Sequence, residues 1–224
     1  MYTGRRLQSQ MTEESDEKLV IVGAGGHARS VIDVAEALGK QIEGVIDLNF
    51  HNQDENIFGH PVLGGLEWLT SANSRREIII AIGDCQRRAE IFEMLNTKSF
   101  LISSLVHPSA TVSPHASIGK GTLVNVGAIV NAGSKIGMNC IINTGGIIEH
   151  EVVVGSHSHI GPGASVAGRV RIGSKVFVGI GARIIDSVVI GDWVTIGAGS
   201  IIINDVPATA TIAGIPGKII KLNL

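Results

Sequence analysis

Aromatic and charged residues are scarce in this chain. Phe, Trp and Tyr make up 4% of the 224 residues, Asp, Glu, Lys and Arg make up 17%, and the formal net charge is -2. Because the chain has no basic field, the composition argues against a nucleic-acid partner. No apolar run reaches the roughly 20 residues of a membrane span, so membrane insertion is not expected. With 44% hydrophobic residues and so few rings, the core is expected to be narrow and aliphatic.

Cysteine is also rare, and the N-terminus carries no signal-like hydrophobic region. The two cysteines, Cys85 and Cys140, do not suggest a disulfide framework. A reducing, cytoplasmic location is therefore expected. Residues 1–18 are polar and unpatterned, which predicts a disordered arm before the folded part of the chain.

A six-residue period dominates the second half of the sequence. Seventeen consecutive positions, spaced by six, are valine or isoleucine: Val106, Val112, Ile118, Val124, Val130, Ile136, Ile142, Ile148, Val154, Ile160, Val166, Ile172, Val178, Ile184, Ile190, Ile196 and Ile202. One short strand per hexapeptide cannot bury its aliphatic side chain alone, but stacked coils turn these side chains into a continuous column. The period therefore predicts a β-solenoid over residues 105–224. A helix bundle would need a period of 3.6 and would tolerate little glycine.

The first half of the sequence predicts an α/β domain over residues 19–104. A strand from Leu19 runs into a glycine-rich turn, a helix follows, and a second strand ends at Asp47. This βαβ unit resembles a dinucleotide-binding fingerprint, which makes an NAD-dependent oxidoreductase one reading. About four predicted strands are only half of a doubly wound sheet, however, and such a unit can hold one nucleotide or sugar phosphate at the carboxyl ends of its strands. The residues predicted there are Gly25, Gly26, His27, Asp47 and Gly83.

The hexapeptide pattern resembles the left-handed parallel β-helix of hexapeptide-repeat acyltransferases, in which three hexapeptides form one triangular coil. Residues eighteen apart then lie one above the other, which places Gly168 over His150. A histidine beside a glycine N–H offers a general base next to an oxyanion donor. Glu151 is expected to orient the imidazole. The alternative is that His150 is only a solvated corner residue.

Histidines elsewhere in the solenoid do not stack with His150. His159 lies nine residues further on, half a coil away, so it is expected to meet His150 only across an interface between two chains. His157 is interpreted as a surface residue. Because His150, His157 and His159 do not share one edge, no metal site is predicted.

The combination of motifs resembles one acyltransferase family. The turn VGAGGHARSV and the segment INTGGIIEHEVVVGSHSHIGPGASVAGRVRIG are similar to those of the sugar O- and N-acyltransferases that include NeuD and PglD. The resemblance covers nearly the whole chain after the N-terminal arm. It implies a homotrimer with three active sites at the subunit boundaries, with acetyl-CoA and a nucleotide sugar as substrates.

The resemblance also implies roles for individual residues. His150 takes the place of the general base, Glu151 that of its acidic neighbour, and Asn143 that of an asparagine near the substrate amine. Acetyl-CoA is expected to contact Gly168, Ile180 and Ala198. It is also expected to contact His159 of the adjacent subunit. The glycine-rich turn, Asp47 and Gly83 match the nucleotide-sugar site.

The activity expected from the resemblance is direct transfer of acetyl from acetyl-CoA to the 4-amino group of a nucleotide-linked amino-dideoxy sugar. The pair His150-Glu151 favours N-acetylation over O-acetylation of sialic acid or another glycan hydroxyl, which stays open. A trimeric nucleotide-binding scaffold without catalysis is the alternative from another class.

Overall fold

A computed structural model of the chain describes residues 18–50, 55–71, 76–98 and 100–222. Apart from Lys18, the predicted disordered arm lies outside the described residues. Two bodies follow each other along the chain, an α/β domain and a β-helix. The predicted combination of a half-Rossmann domain and a parallel β-helix is confirmed.

The α/β domain contains six strands and three helices among its described residues. In chain order these are β1 (Leu19–Val22), α1 (Gly26–Ala37), β2 (Ile42–Ile46), β3 (Asn56–Ile57), β4 (His60–Gly64), α2 (Leu66–Ser71), β5 (Glu77–Ile80), α3 (Cys85–Thr97) and β6 (Leu101–Ile102). All residues of β1 are apolar, as are all those of β5 after Glu77, because both strands are buried on both sides.

The strand order of this sheet is β3-β4-β2-β1-β5-β6, and only the β3–β4 pair is antiparallel. The central strands β2, β1 and β5 are parallel, so their carboxyl ends meet at one edge. In a sheet of this kind the crevice beside those ends is the usual ligand site.

The β-helix is a triangular prism built from seventeen two-residue strands, each ending in one aliphatic residue of the six-residue period. Three parallel sheets form its faces. The first face holds β7 (Leu105–Val106), β10 (Leu123–Val124), β13 (Ile141–Ile142), β16 (His159–Ile160), β19 (Phe177–Val178) and β22 (Thr195–Ile196). The second holds β8 (Thr111–Val112), β11 (Ile129–Val130), β14 (Ile147–Ile148), β17 (Ser165–Val166), β20 (Arg183–Ile184) and β23 (Ile201–Ile202). The third holds β9 (Ser117–Ile118), β12 (Lys135–Ile136), β15 (Val153–Val154), β18 (Arg171–Ile172) and β21 (Val189–Ile190).

Register along each face advances by eighteen residues, so that Ile142 pairs with Ile160 and Ile148 with Val166. The inward aliphatics form one buried core through the prism. The first face ends with β24 (Ala210–Ala213) and the antiparallel β25 (Lys218–Leu222).

The α/β domain packs on the first face of the prism. The outward residues of its first three coils, Leu105, Leu123 and Ile141, share one apolar cluster with residues of α1. From the fourth coil on, the outward residues change to His159, Phe177 and Thr195. The apolar contact therefore gives way to a polar, partly open site at this level of the prism.

Within the part of the chain that the structure describes, no helix combines the length and the apolar character needed to cross a bilayer.

Candidate active site

A cavity of about 220 Å³ lies at the carboxyl ends of β1, β2 and β5. All five residues predicted at the nucleotide-sugar site line it: Gly25, Gly26, His27, Asp47 and Gly83. The structure therefore brings together residues that are separated by about two thirds of the α/β domain in sequence.

The glycine-rich turn shapes this cavity. Gly23 has a φ of +121°, and a Cβ on it would lie 2.9 Å from the Ala81 carbonyl oxygen, so only glycine lets β1 turn this close to β5. Helix α1 then begins at Gly26 without a side-chain cap. An uncapped helix N-terminus leaves backbone N–H groups for an anion such as a phosphate.

His27 lies at the inner end of the cavity. Its Nε2 is buried and has no hydrogen-bond partner among the described residues. Burial, with a smaller contribution from the Arg88 charge, lowers the pKa of His27 to about 4. The neutral ring lies 6.0 Å from the ring of His159, measured between centroids.

His159 joins the two domains. Its Nδ1 lies 3.1 Å from the Gly83 carbonyl oxygen, and its Nε2 lies 3.0 Å from Nδ2 of Asn143. Burial lowers the pKa of His159 to about 4; the Gly83 carbonyl opposes this shift, and the charge of Arg88 and the His27 ring add to it. His159 and Asn143 thus form one polar pair next to this cavity.

A second cavity, of about 470 Å³, opens on the other side of Gly83. Its walls include His159, Phe177 and Trp193, and Lys175 Nζ lies 4.2 Å from the centroid of the Trp193 ring. Since Gly83 lines both cavities, a ligand held in the smaller one can extend toward His159.

His150 lies on a different edge, the corner between the second and third faces, which we call the second corner. A Cβ on Gly168 would lie 2.6 Å from both Cε1 and Nε2 of the His150 ring, so the imidazole rests directly on this glycine. Glu151 has a φ of +60°, and its Oε2 lies 3.2 Å from His150 Nδ1. Of the His150 side chain, 50% is exposed.

The predicted catalytic and cofactor residues therefore fall into two groups within one chain. His150, Glu151 and Gly168 form the second-corner group. Asn143, Ile180 and Ala198 lie on the corner between the first and second faces, which we call the first corner, and His159 lies on the first face. Ile180 is 59% exposed there.

The sequence analysis was wrong about His157 and missed three polar residues at the domain boundary. His157 is 7% exposed and hydrogen-bonds Asn139, because α3 covers it. Buried Arg88 and Asn125 and half-buried Ser30 were not singled out. For Asn125 a signal existed: it lies eighteen residues before Asn143 and therefore directly below it in the stack.

Comparison with known proteins agrees with this architecture. The family described as the PglD N-terminal domain matches residues 18–95, and the bacterial transferase hexapeptide family matches residues 169–204. A mutant of perosamine N-acetyltransferase from Caulobacter crescentus, in complex with CoA and GDP-perosamine, is 33% identical over 92% of this chain and 98% of its own, with a TM-score of 0.87. The chain belongs to the PglD-like family of sugar acetyltransferases.

Two further members of this family are similar. The acetyltransferase domain of PglB from Neisseria gonorrhoeae, in complex with acetyl coenzyme A, is 36% identical over 91% of this chain and 99% of its own, with a TM-score of 0.86. UDP-N-acetylbacillosamine N-acetyltransferase from Bacillus subtilis is 35% identical over 118 residues. That last alignment covers 48% of this chain and 50% of the relative, about half of each.

Proposed function

We propose that this protein transfers the acetyl group of acetyl-CoA to the 4-amino group of a nucleotide-linked amino-dideoxy sugar. The observation that carries the proposal is the shared Gly83, which connects the nucleotide cavity with the Asn143–His159 pair. The perosamine and bacillosamine relatives, whose names describe N-acetyltransferases, support the same activity.

The nucleotide would bind in the smaller cavity, with its phosphates at the N-terminus of α1. There Gly25 and Gly26 leave the backbone accessible, and Asp47 supplies a carboxylate for hydroxyl groups. The sugar would extend past His27 and Gly83 toward Asn143 and His159. This position places the amino group at the boundary of the two domains, on the first face of the prism.

His150 would act as the general base. With Nδ1–H donating to Glu151, Nε2 carries the lone pair that accepts a proton. The neutral amine attacks the thioester carbonyl, forming the new C–N bond and an oxyanion, while Nε2 takes a proton from the amine. As the C–S bond breaks, the imidazolium returns the proton to the leaving CoA thiolate. Gly168 N–H would hold the oxyanion.

Acetyl would pass directly to the amine rather than through cysteine. Both cysteines are buried, and burial raises the pKa of Cys85 and raises that of Cys140 to about 12. A buried thiol is a weak nucleophile because the thiolate is the reactive form. Neither cysteine lies in the second-corner group.

A homotrimer would complete the site. Because the second-corner group and the Asn143–His159 pair lie on different parts of one prism, a small substrate reaches both only when a neighbouring chain supplies one of them. The first corner exposes Ile180, which is 59% accessible in the single chain. Acetyl-CoA would lie in the groove between prisms, along Ile180 and Ala198 of one chain and Gly168 and His150 of the other.

The function is tested first by substituting the base. We expect His150→Ala to lower kcat on the amino-sugar substrate at least about a hundredfold, since loss of a general base costs roughly that much. His115→Ala is the matched control, because His115 is exposed on the same edge of the prism, near its start. Release of free CoA thiol measures the rate. Near-normal turnover by His150→Ala would contradict the assignment of the base.

The substrate is identified with the same assay on a panel. UDP- and GDP-linked 4-amino sugars are compared with CMP-sialic acid and free sialic acid. Turnover on an amino sugar supports N-acetylation. Turnover on sialic acid alone supports the O-acetyltransferase reading, and absence of both turnover and CoA binding supports a scaffold.

A further inference from the structure

A chain of hydrogen bonds links helix α1 to the β5–α3 loop along the boundary between the α/β domain and the prism. Asn125, which is 1% exposed, donates from Nδ2 to Ser30 Oγ at 2.7 Å and to Asn143 Oδ1 at 3.1 Å. Asn143 Nδ2 lies 3.0 Å from His159 Nε2, and His159 Nδ1 lies 3.1 Å from the Gly83 carbonyl oxygen. The Gly83 carbonyl also accepts from Arg88, at 2.9 Å.

The direction of every bond in this chain follows from backbone groups, which have fixed donors and acceptors. At one end, Val126 N–H donates to Asn125 Oδ1 at 2.8 Å, so the Asn125 amide nitrogen must face Asn143. At the other end, the Gly83 carbonyl can only accept, so His159 Nδ1 must carry the proton. His159 Nε2 is then an acceptor, in agreement with the Asn143 nitrogen facing it.

Two donors orient the Asn143 amide. Thr144 N–H donates to Oδ1 at 2.8 Å, and Asn125 Nδ2 donates to the same oxygen. Because Oδ1 accepts both of these hydrogen bonds, the Asn143 amide directs its NH₂ group toward His159. We propose that Asn125 is a positioning residue that orients the Asn143 amide and thereby holds His159 as the neutral Nδ1–H tautomer.

The expected effect of Asn125 on catalysis rests on the proposed function. The hydrogen-bond arrangement and the tautomer of His159 do not depend on it. A neutral ring with Nε2 unprotonated accepts one N–H of the Asn143 amide, which leaves the second N–H of that amide for an oxygen of the bound substrate. A substrate oxygen held in this way fixes the orientation of the sugar toward the thioester. A protonated ring would lose the bond from Asn143 and place a positive charge next to the amine.

The test is Asn125→Asp, which keeps the shape of the side chain and its acceptor for Val126 N–H. A carboxylate cannot donate, so it repels Asn143 Oδ1. We expect the Asn143 amide to give up the bond from Thr144 N–H and to turn its oxygen toward His159. With acceptors then on both ring nitrogens, at Gly83 and at Asn143, the ring is stable only as the imidazolium.

Nitrogen-15 NMR of the ligand-free protein, with labelled histidine, reports the protonation state of each nitrogen of the His159 ring. At neutral pH the parent protein is expected to show one protonated and one unprotonated ring nitrogen for His159, and Asn125→Asp is expected to show two protonated ones. His159→Gln assigns the signal. The ring also faces His27 from α1 and Arg88 from α3, and shares a cavity wall with Asp84 and Lys175, which are all unchanged in the variant.

Asn131→Asp is the matched control for added charge. Asn131 occupies the same position in the next hexapeptide, one residue after its buried aliphatic, and makes no bond to this chain of residues. The His159 signals should stay unchanged in that control. Parent-like His159 signals in a folded Asn125→Asp variant would overturn the proposal. If that variant does not fold, Asn125→Leu replaces it: the Asn143 amide loses one of its donors and is expected to turn in part of the molecules, so a detectable imidazolium fraction of His159 is expected. Unchanged signals overturn the proposal equally.

Kinetics separate this inference from the proposed function. On the amino-sugar substrate we expect Asn125→Asp to lower kcat at least tenfold, by the loss of orientation, while the KM for the nucleotide sugar changes less than about threefold, because the nucleotide cavity is intact. A raised KM with unchanged kcat would contradict the positioning role. If the parent enzyme turns over no amino sugar, the proposed function fails, and the NMR result still decides the role of Asn125.

Discussion

At the second corner of the prism, the His150 imidazole lies directly against the backbone of Gly168. Gly168 is buried because the His150 imidazole covers it, and no other residue leaves room for that ring. The eighteen-residue spacing of the two residues is enough to predict this contact once each coil holds three hexapeptides. Their roles in catalysis stay a prediction that substitution can test.

Adding one methyl group at Gly168 should displace the base. In Gly168→Ala the new Cβ would lie 2.6 Å from His150 Nε2, so the imidazole must move away from its place at the corner. We expect kcat to fall on the order of a hundredfold, as for loss of the base itself, with little change in the thermal unfolding midpoint. Thiol release gives kcat, and circular dichroism gives the midpoint. Full activity in the alanine variant would show that the ring position is not critical.

Among the elements, helix α3 is held to the prism by an arginine, Arg88, that has no carboxylate partner in the part of the chain that the structure describes. Arg88 is 1% exposed and donates to carbonyl oxygens on both sides of the domain boundary, including those of Ile82, Gly83, Asn139 and His157. The guanidinium has five N–H donors in a rigid fork, which suits several carbonyls at once. Arg88 therefore fixes the loop that carries Gly83 relative to His159.

Replacing this arginine should weaken the junction between α3 and the prism. In Arg88→Met the carbonyl oxygens lose their donor, and each buried acceptor left unpaired costs about 1–3 kcal/mol. We expect the free energy of unfolding to fall by at least about 3 kcal/mol, measured by urea denaturation. Arg87→Met is the control, since the neighbouring Arg87 side chain is 53% exposed and its loss should cost less than about 0.5 kcal/mol. Equal stability of the two variants would argue against this role.

The whole molecule couples its stability to pH through the histidines at the domain boundary. His27 and His159 both have pKa values lowered to about 4, chiefly by burial, against an ordinary value of 6.5. Between these values the unfolded chain binds protons that the folded protein does not, so stability falls as the pH decreases from about 6.5 to 4. Above about pH 6.5 neither the folded nor the unfolded chain binds these protons, so the two histidines no longer make the free energy of unfolding depend on pH.

Acid sensitivity should therefore decrease when one of these rings is removed. Lowering the pKa of one histidine from 6.5 to about 4 corresponds to roughly 3 kcal/mol, and the two together contribute less than twice that because each protonated ring repels the other. We expect His159→Asn to lose less stability than the parent protein between pH 6.5 and 4, measured by urea denaturation at each pH. His115→Asn, at an exposed position, should behave like the parent. An unchanged pH profile in His159→Asn would contradict burial as the cause.

The sequence by itself determined the prism and the second corner. The six-residue period of aliphatic residues predicts a stack of parallel coils, and three hexapeptides per coil, which the family resemblance implies, place Gly168 over His150. The sequence also predicted the smaller cavity, because the carboxyl ends of neighbouring parallel strands meet at one edge and bring Gly25 and Asp47 together.

Only the tertiary structure decided how the α/β domain sits on the prism and which polar groups meet there. Ser30 and Asn125 are 95 residues apart, His159 and Gly83 are 76 apart, and Arg88 and Asn139 are 51 apart. No sequence period connects such partners. In the sequence, a buried polar residue cannot be told from an exposed one until its hydrogen-bond partners are known. The orientation of the Asn143–His159 pair depends on these long-range contacts. Hydrogen bonds are directional, and the groups that set their direction here, such as the Gly83 carbonyl, come near the pair only in the folded protein.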